Sequence, residues 1–313
     1  MKVLLVHSGN AVNDSDDYTF VKEQGCALTG QGVDVTYFAV KGKGPCGYLK
    51  NLKRLKAVIA QEKPDIVHAH YGLCGALCVL QRKVPVVVTF HNGETLTRKG
   101  KIVSIMAARL SKYRIYVAQH IFDKLVFQPS SHFFIQPCGI WLDQLPIVPK
   151  EQTQKALGLS GDQPNILFGG SFSNDRKNYP LAQQAISLLP FEVNLIEMKG
   201  YSREEVNLLY CACDLLLLPT KSEGSPQVIK EAMACNCPVV ATNVADIAWL
   251  LDGVTNSYVT SFDAQEIAHR IEEVLNTKER TNGRQRIEQL GLDNPAVAEK
   301  IINVYEKVLR KNE

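Results

Sequence analysis

The stretch Leu215-Leu-Leu-Leu-Pro-Thr-Lys-Ser-Glu223-Gly-Ser-Pro226-Gln-Val-Ile-Lys-Glu231-Ala-Met-Ala-Cys-Asn-Cys-Pro238-Val-Val-Ala-Thr242 decides how this chain folds. Four consecutive leucines without a polar alternate read as a strand covered on both faces. Pro219 to Ser225 is a loop, Gln227 to Ala234 carries a helical pattern, and Pro238 opens a second apolar strand. Pro226 suits the first helical turn, where its missing N–H would have had no partner. The N–H groups at the helix start, around Ser225 to Val228, then form an anion site. Glu223 sits in the loop above it and Glu231 inside the helix. An acid beside a phosphate site makes sense when it accepts hydrogen bonds from hydroxyls. Two acids flanking one such site suit a ligand with hydroxyls on both sides of its phosphates, as a nucleoside diphosphate sugar has.

The same alternation extends outward in both directions. Strand-like runs are expected at Val3–His7, Val33–Ala39, Ile66–His70, Val84–Phe90, Ile115–Ala118, Phe133–Gln136, Ile166–Gly169, Val193–Met198, Leu215–Pro219 and Pro238–Thr242. Helical patterns lie between them, among them Tyr18–Gln31, Tyr48–Gln61, Leu181–Leu189, Glu204–Ala212 and Gln227–Ala234. Apolar strands separated by helices predict parallel, doubly wound α/β sheets. The pattern ends at Pro137-Cys-Gly-Ile140, passes a polar, Pro-containing stretch from Pro146 to Pro164, and restarts at Asn165. Two domains are therefore expected, residues 1–145 and 146–294, with a last helix at about 295–313 packing back on the first. Tandem domains of this kind are expected to face a central cleft at the carboxyl ends of their strands, where ligands of such sheets bind.

Composition agrees with two globular domains. The chain has 313 residues, 45% hydrophobic and 21% charged, with a net charge of +3. That small sum hides a division. Up to Gln144 there are 18 Lys and Arg against 10 Asp and Glu, a balance of +8; from Leu145 onward 17 stand against 22, a balance of −5. The halves should meet different partners. No apolar run approaches the roughly 18–20 residues of a spanning helix, and Met1 to Val6 is too short for a secretory leader. The nine cysteines form no Cys-x-x-Cys pair and read as reduced, buried small hydrophobes of a cytoplasmic protein.

Glu223-x7-Glu231, followed by Ala-Met-Ala-x-x-x-Pro-Val-Val-Ala-Thr, resembles the donor-site signature of glycosyltransferase family 4, retaining enzymes of GT-B fold with two Rossmann-like domains. Pro64-Asp-Ile-Val-His-Ala-His70 and Val86-Val-Val-Thr-Phe-His91-Asn-Gly-Glu94 resemble that family's amino-terminal strands, and Gly169-Gly-Ser-Phe-Ser-Asn-Asp-Arg176-Lys177-Asn178 its phosphate loop. The resemblance covers most of residues 1–275. It implies a metal-independent enzyme without a cofactor, moving a sugar from a nucleoside diphosphate sugar to a hydroxyl of a glycan or lipid-linked acceptor in cell-surface polysaccharide or glycolipid synthesis. A catalytically idle relative and a nucleotide-sugar epimerase stay open beside it.

Residue by residue, the resemblance implies that Glu231 binds the ribose hydroxyls and Glu223 faces the donor sugar. Gly224, Ser225, Pro226 and Gln227 would lie near sugar and phosphates. Arg176 and Lys177 would neutralise the leaving diphosphate, with Gly170 in the same loop. His91 would lie near the transferred sugar, the Gly9–Asn10 turn near the donor phosphates, and Gly200–Tyr201 at the nucleobase. The family's Arg after the phosphate-loop glycines is Ser171 here, and its later Gly-Gly-x-x-Glu element appears as Ala245-Asp-Ile-Ala-Trp249, onto which no role is carried.

Three further signals are weighed against plainer readings. Gly42-Lys-Gly44-Pro-Cys-Gly47 matches a dinucleotide fingerprint, but it follows the second strand and Pro45 removes an N–H; a loop is expected. His68 and His70 point to one face and read as packing or cleft lining rather than metal ligands. In Tyr48–Gln61, Leu49, Leu52, Leu55 and Ile59 form a stripe with Lys50, Lys53, Arg54 and Lys56 elsewhere. With Arg98, Lys99, Lys101, Arg109, Lys112 and Arg114, this basic half could face an anionic membrane as a peripheral protein. No nucleic-acid module accompanies the charge.

Overall fold

The computed structural model describes residues 1–9, 19–125 and 132–310. Its strands are β1 (Lys2–Ser8), β2 (Asp34–Val40), β3 (Ile66–His70), β4 (Val86–Phe90), β5 (Tyr113–Tyr116), β6 (Phe133–Ile135), β7 (Asn165–Phe168), β8 (Asn194–Glu197), β9 (Leu215–Leu218), β10 (Val239–Thr242) and β11 (Tyr258–Thr260). They form two sheets, β2-β1-β3-β4-β5-β6 and β11-β10-β9-β7-β8, and every pairing is parallel. Both sheets repeat one order: the second strand flanks the first, and the chain then crosses to build outward on the other side. The reversal falls between β1 and β3 in one sheet and between β7 and β9 in the other. Ligands of open α/β sheets bind at this point, outside the carboxyl ends of the strands.

The chain divides into Met1–Gly139 with Asn294–Glu313, and Ile140–Asp293. The crossing at Gly139/Ile140 precedes the expected break after residue 145, because Ile140, Leu142 and Leu145 are buried in the core of the second unit. The Asn294–Arg310 helix belongs to the first unit, burying Val297, Ala298, Ile301, Val304, Tyr305 and Val308, which recur at helical spacing along one face.

Burial explains the strand choices. In β9, Leu216 and Leu218 enter one core and Leu215 and Leu217 the core on the opposite face, all four shut from solvent. Such two-sided burial, at roughly 1.5–3 kcal/mol per leucine, is why a run without polar alternates is a central strand. The three-residue edge strand β11 was too short to stand out in the sequence.

Local chemistry sets other boundaries. The expected Tyr48–Gln61 helix is two helices, Gly44–Leu49 and Leu52–Glu62. The break falls at Asn51, whose Nδ2 donates to the Lys41 carbonyl in the preceding loop at 2.7 Å and to the Gly47 carbonyl, the acceptor its own N–H would use in a continuous helix, at 3.0 Å. The Gly42–Gly47 stretch accordingly starts a short helix rather than remaining a loop. Six of the nine cysteines are buried, whereas Cys26 and Cys46 are exposed, since both lie on the outer faces of helices.

Because β9 is covered on both sides, Leu216→Ala and Leu217→Ala should each lower unfolding free energy by about 2–5 kcal/mol. Urea denaturation followed by circular dichroism measures this, and a loss well under 1 kcal/mol at either position would contradict a two-faced core.

Candidate functional site

In the second unit the loops that leave β7, β8, β9 and β10 converge on the carboxyl end of the sheet. The first is the phosphate-type loop. After β7 the chain turns at Gly169 and Gly170 and forms a short 3-10 turn at Asp175–Lys177, where the Asn174 side chain accepts from the Arg176 N–H at 3.1 Å. The Lys177 stem lies across Gly170: a Cβ there would come within 2.9–3.1 Å of three Lys177 methylene carbons, at a φ of +156°. Glycine is thus required for Lys177 to turn inward. Lys177 is buried and its Nζ lies 2.9 Å from Glu223 Oε1, whereas the Arg176 side chain is exposed.

The loop after β9 is fastened to this turn. Lys221 N donates to the Arg176 carbonyl at 2.9 Å, and the Thr220 hydroxyl lies 3.1 Å from both that carbonyl and Glu223 Oε1. Thr242, closing β10, donates to the Thr220 carbonyl at 2.6 Å. Three strands therefore position one carboxylate. Buried charges demand such partners, because an uncompensated one costs several kcal/mol.

The helix Gln227–Ala234 starts beside Glu223. Pro226 stands at its N-cap, one place before the expected first helical turn, and no side chain caps the end. Its φ of −69° with ψ of 119° is extended, so the chain enters the helix only at Gln227. The helix macrodipole thus points its positive end into the loops that carry Gly224 and Ser225. One turn further in, Glu231 is buried and held twice: Arg203 Nη1 donates to Oε1 at 2.8 Å and Tyr210 Oη to Oε2 at 2.9 Å. Burial and the Glu231 carboxylate push the Tyr210 phenol well above its ordinary range, so it stays a donor. Gly200 and Tyr201 lie in the turn between β8 and the Arg203–Ala212 helix, with the Tyr201 ring partly exposed.

Arg203 and Tyr210 were not picked out from the sequence. Ser202-Arg-Glu-Glu205 does carry a signal for the helix start: Ser202 Oγ accepts from Glu205 N at 3.2 Å and Glu205 Oε2 accepts from Ser202 N at 2.7 Å, a capping box. It fixes the helix register, and register puts Arg203 and Tyr210 near Glu231. Asp246, in the element to which no role was carried, also joins the cluster. Burial raises its carboxyl to about 6; Lys230 and Ser225 oppose the rise and Glu223 adds to it. Ala245 before it holds a left-handed φ of 57°, at one of the positions where the similar family has glycine.

In the first unit the counterparts surround the β1/β3 reversal. His68 and His70 alternate along β3 and stack at 4.7 Å between ring centres. His68 is clamped by Tyr305 Oη at 2.6 Å and Thr89 Oγ1 at 2.7 Å, and burial lowers its imidazole to about 3. His70 Nδ1 lies 3.2 Å from Nε2 of His91, which follows β4. Burial holds His70 neutral, and its Nε2 has no partner among the described residues. A buried N–H without an acceptor is more costly than a bare lone pair, so the His70 proton belongs on Nδ1, donating to His91. Gly9 follows β1, with its N–H donating to the Val40 carbonyl at 2.6 Å. Asn10 lies outside the described residues. Among the described residues no three His, Cys, Asp or Glu side chains gather as a metal site, and no helix is long and apolar enough to cross a membrane.

Comparison with known proteins matches both units. The profile of Glycosyltransferase Family 4 matches residues 32–140 and that of Glycosyl transferases group 1 residues 166–277. The chain belongs to this family of glycosyltransferases. It is 25% identical over 264 residues to a glycosyltransferase of Methanocaldococcus jannaschii, covering 74% of this chain and 72% of that one. It is 25% identical over 291 residues to a D-inositol 3-phosphate glycosyltransferase of Mycobacterium sp. strain KMS, covering 78% and 66%. Among solved structures, sucrose-phosphate synthase from Thermosynechococcus elongatus superposes with a TM-score of 0.83 at 18% identity over 99% of each chain. Anabaena HepE, solved with UDP, superposes at 0.80 with 15% identity, covering 98% of this chain and 100% of that one. These likenesses establish the GT-B fold.

The raised Asp246 carboxyl has a measurable consequence. Between the ordinary pKa near 4 and about 6 the unfolded chain ionises this group before the folded one does, so its contribution to stability falls as pH rises through that window. Asp246→Asn should therefore stabilise the protein at pH 7.5 by up to about 3 kcal/mol, with little gain at pH 4. Urea unfolding at the two pH values tests this, and an equal effect at both would show that the carboxyl is not shifted.

Proposed function

We propose that this chain is a retaining, metal-independent glycosyltransferase that moves a sugar from a nucleoside diphosphate sugar to a hydroxyl of a glycan or lipid-linked acceptor. The observation that carries the reading is the pair of buried carboxylates at one uncapped helix start: Glu223 held by Lys177, and Glu231 held by Arg203 and Tyr210. A nucleotide sugar matches this arrangement, with a diphosphate for the helix N-terminus and hydroxyls for the two acids.

In this reading Glu231 accepts hydrogen bonds from the ribose hydroxyls, its remaining lone pairs kept in place by Arg203 and Tyr210. Lys177 is the inward cation and turns from Glu223 toward the diphosphate as negative charge develops on the leaving group. A donor aimed where charge appears stabilises the transition state more than the ground state. Arg176, exposed on the same turn, adds long-range charge. Glu223, relieved of part of its pairing, faces the donor sugar, and the Gly224–Gln227 backbone meets sugar and phosphates. Gly200 and Tyr201 contact the base, and Gly170 keeps the Lys177 path open. The family resemblance assigns Gly9 and Asn10 of the first unit to the donor phosphates and His91, which His70 orients, to the reacting sugar. Retention then follows from front-face attack, with the leaving phosphate taking the acceptor proton. Binding of UDP by HepE supports a nucleotide donor.

Glu231→Ala should weaken donor binding about 10–100-fold, the worth of hydrogen bonds to a charged acceptor. Thermal-shift screening of UDP, GDP and ADP sugars selects the donor, since a bound ligand stabilises the folded state, and calorimetry on the selected donor then compares the variant with the parent. Undiminished binding by a folded Glu231→Ala protein would refute the site. Turnover should persist in EDTA; the sequence does hold one Asp-x-Asp triplet, Asp14-Ser-Asp16, outside the described residues, so loss of activity in EDTA would overturn metal independence. The anomeric coupling of the product by proton NMR decides retention.

A further inference from the structure

The helix Arg98–Leu110 has apolar residues on two sides. Thr97 caps it, its Oγ1 accepting from Gly100 N at 3.0 Å. Its inward face is made of small residues, Ser104, Ala107 and Ala108, all buried. They pack against the helix Gly72–Val79 so closely that a Cβ on Gly72 would stand 1.9 Å from Ser104 Oγ and one on Gly75 3.2 Å from the Ala107 Cβ. Its large apolar residues are divided: Val103 and Ile105 are partly buried against the first unit's core, whereas Ile102 is 59%, Met106 43% and Leu110 61% exposed, and Leu96 just ahead of the helix 57%. The spacing of four places Ile102, Met106 and Leu110 in one row along the helix. Apolar burial is the main gain in folding, so a helix that already packs one side on the core and still exposes isoleucine, methionine and leucine in a second row is shaped for a second surface.

Charge identifies that surface. The thirteen residues RKGKIVSIMAARL carry four cations and no acid. Lys99 flanks the apolar row on one side, and Arg98 and Arg109 on the other. Beyond Leu110 two surface cavities, of about 430 and 380 Å³, share Lys112. The larger adds Arg82 and Lys83, and the smaller Arg114, His132 and Lys307; among the described residues neither lining holds a carboxylate. A second copy of this chain would oppose like charges, which is unfavourable across an interface. The other expected membrane face does not compete: Leu55 and Ile59 of the Leu52–Glu62 helix are buried in the first unit's core.

We infer that the Arg98–Leu110 helix is an interfacial membrane anchor, seating Ile102, Met106 and Leu110 among the acyl chains of an anionic bilayer while Lys99, Arg109 and Lys112 meet lipid phosphates. This goes beyond sugar transfer and stands independently of it. The cavities lie at the amino-terminal ends of β4 and β5, so the Leu110 and Lys112 end of the contact is at the end of the sheet opposite His70 and His91.

The full chain should co-sediment with phosphatidylcholine vesicles containing phosphatidylglycerol, bind weakly to phosphatidylcholine alone, and lose affinity with salt. Combining Ile102→Ser, Met106→Ser and Leu110→Ser should lower the partition coefficient about a hundredfold or more, because each lost apolar side chain removes several buried methylenes. The same variant should keep its unfolding temperature, as exposed positions contribute little to stability. Lys112→Glu should lower partition about tenfold or more by replacing attraction with repulsion. As a reading that does not depend on the triple variant folding, Met106→Trp should show blue-shifted emission, over the background of Trp141 and Trp249, on anionic vesicles only. Absence of vesicle binding at low salt, unaltered partition of the triple variant, or unshifted Met106→Trp emission each overturns the inference. So does a dimer in size-exclusion chromatography that the triple variant dissolves, which would assign the apolar row to a second copy. Vesicle binding unchanged in Glu231→Ala would separate this surface from the donor site.

Discussion

A carboxylate buried beside a helix start needs a cation, and the Lys177–Glu223 pair is the constraint around which the second unit is arranged. For Lys177 to reach Glu223 the chain after β7 must pass under its stem as glycine, the 3-10 turn must present Lys177 inward and Arg176 outward, and the β9 loop must be tied to that turn through Thr220 and Lys221. Thr242 then fastens β10 to the same loop. A short-range electrostatic demand thereby determines the geometry of three loops, and it leaves the N-terminus of Gln227–Ala234 open to an anion.

Glu231 repeats the principle one turn deeper. Its partners come from the helix after β8, so the acid that is proposed to read the nucleotide is oriented by an element distant in sequence. In the first unit the device is neutral. Buried imidazoles at β3 lose their charge: Tyr305 and Thr89 clamp His68, and the His70 Nε2, without a partner among the described residues, leaves the His70 proton on Nδ1 facing His91. Both units thus place candidate site residues at the strand-order reversal. One uses ion pairs and the other desolvated histidines.

Much of this was legible in the chain. Leu215–Leu218, Val239–Thr242 and Ile66–His70 declared themselves as parallel strands because two-sided burial forbids polar alternates, and Glu223-x7-Glu231 marked the helix that carries the site. Less legible were features decided by competition over short distances. Asn51 divides a helix that periodicity ran together, by offering its amide to nearby carbonyls. Pro226 sits a residue before its expected place. Arg203, Tyr210 and Asp246 enter the site only through packing, since no spacing connects them to Glu223 or Glu231.

The amino-acid sequence by itself determined the alternation of strands and helices, the two sheets, the division of charge and the two acids, because each follows from local periodicity or from residue type. Tertiary structure decided which partner holds each acid, that Lys177 rather than Arg176 turns inward, and that the helix Arg98–Leu110 shows Ile102, Met106 and Leu110 to the outside. The physical reason is the same in each case. Periodicity says that a helix has an apolar face, but only the neighbour packed against it, here the glycines of Gly72–Val79, decides which face is buried.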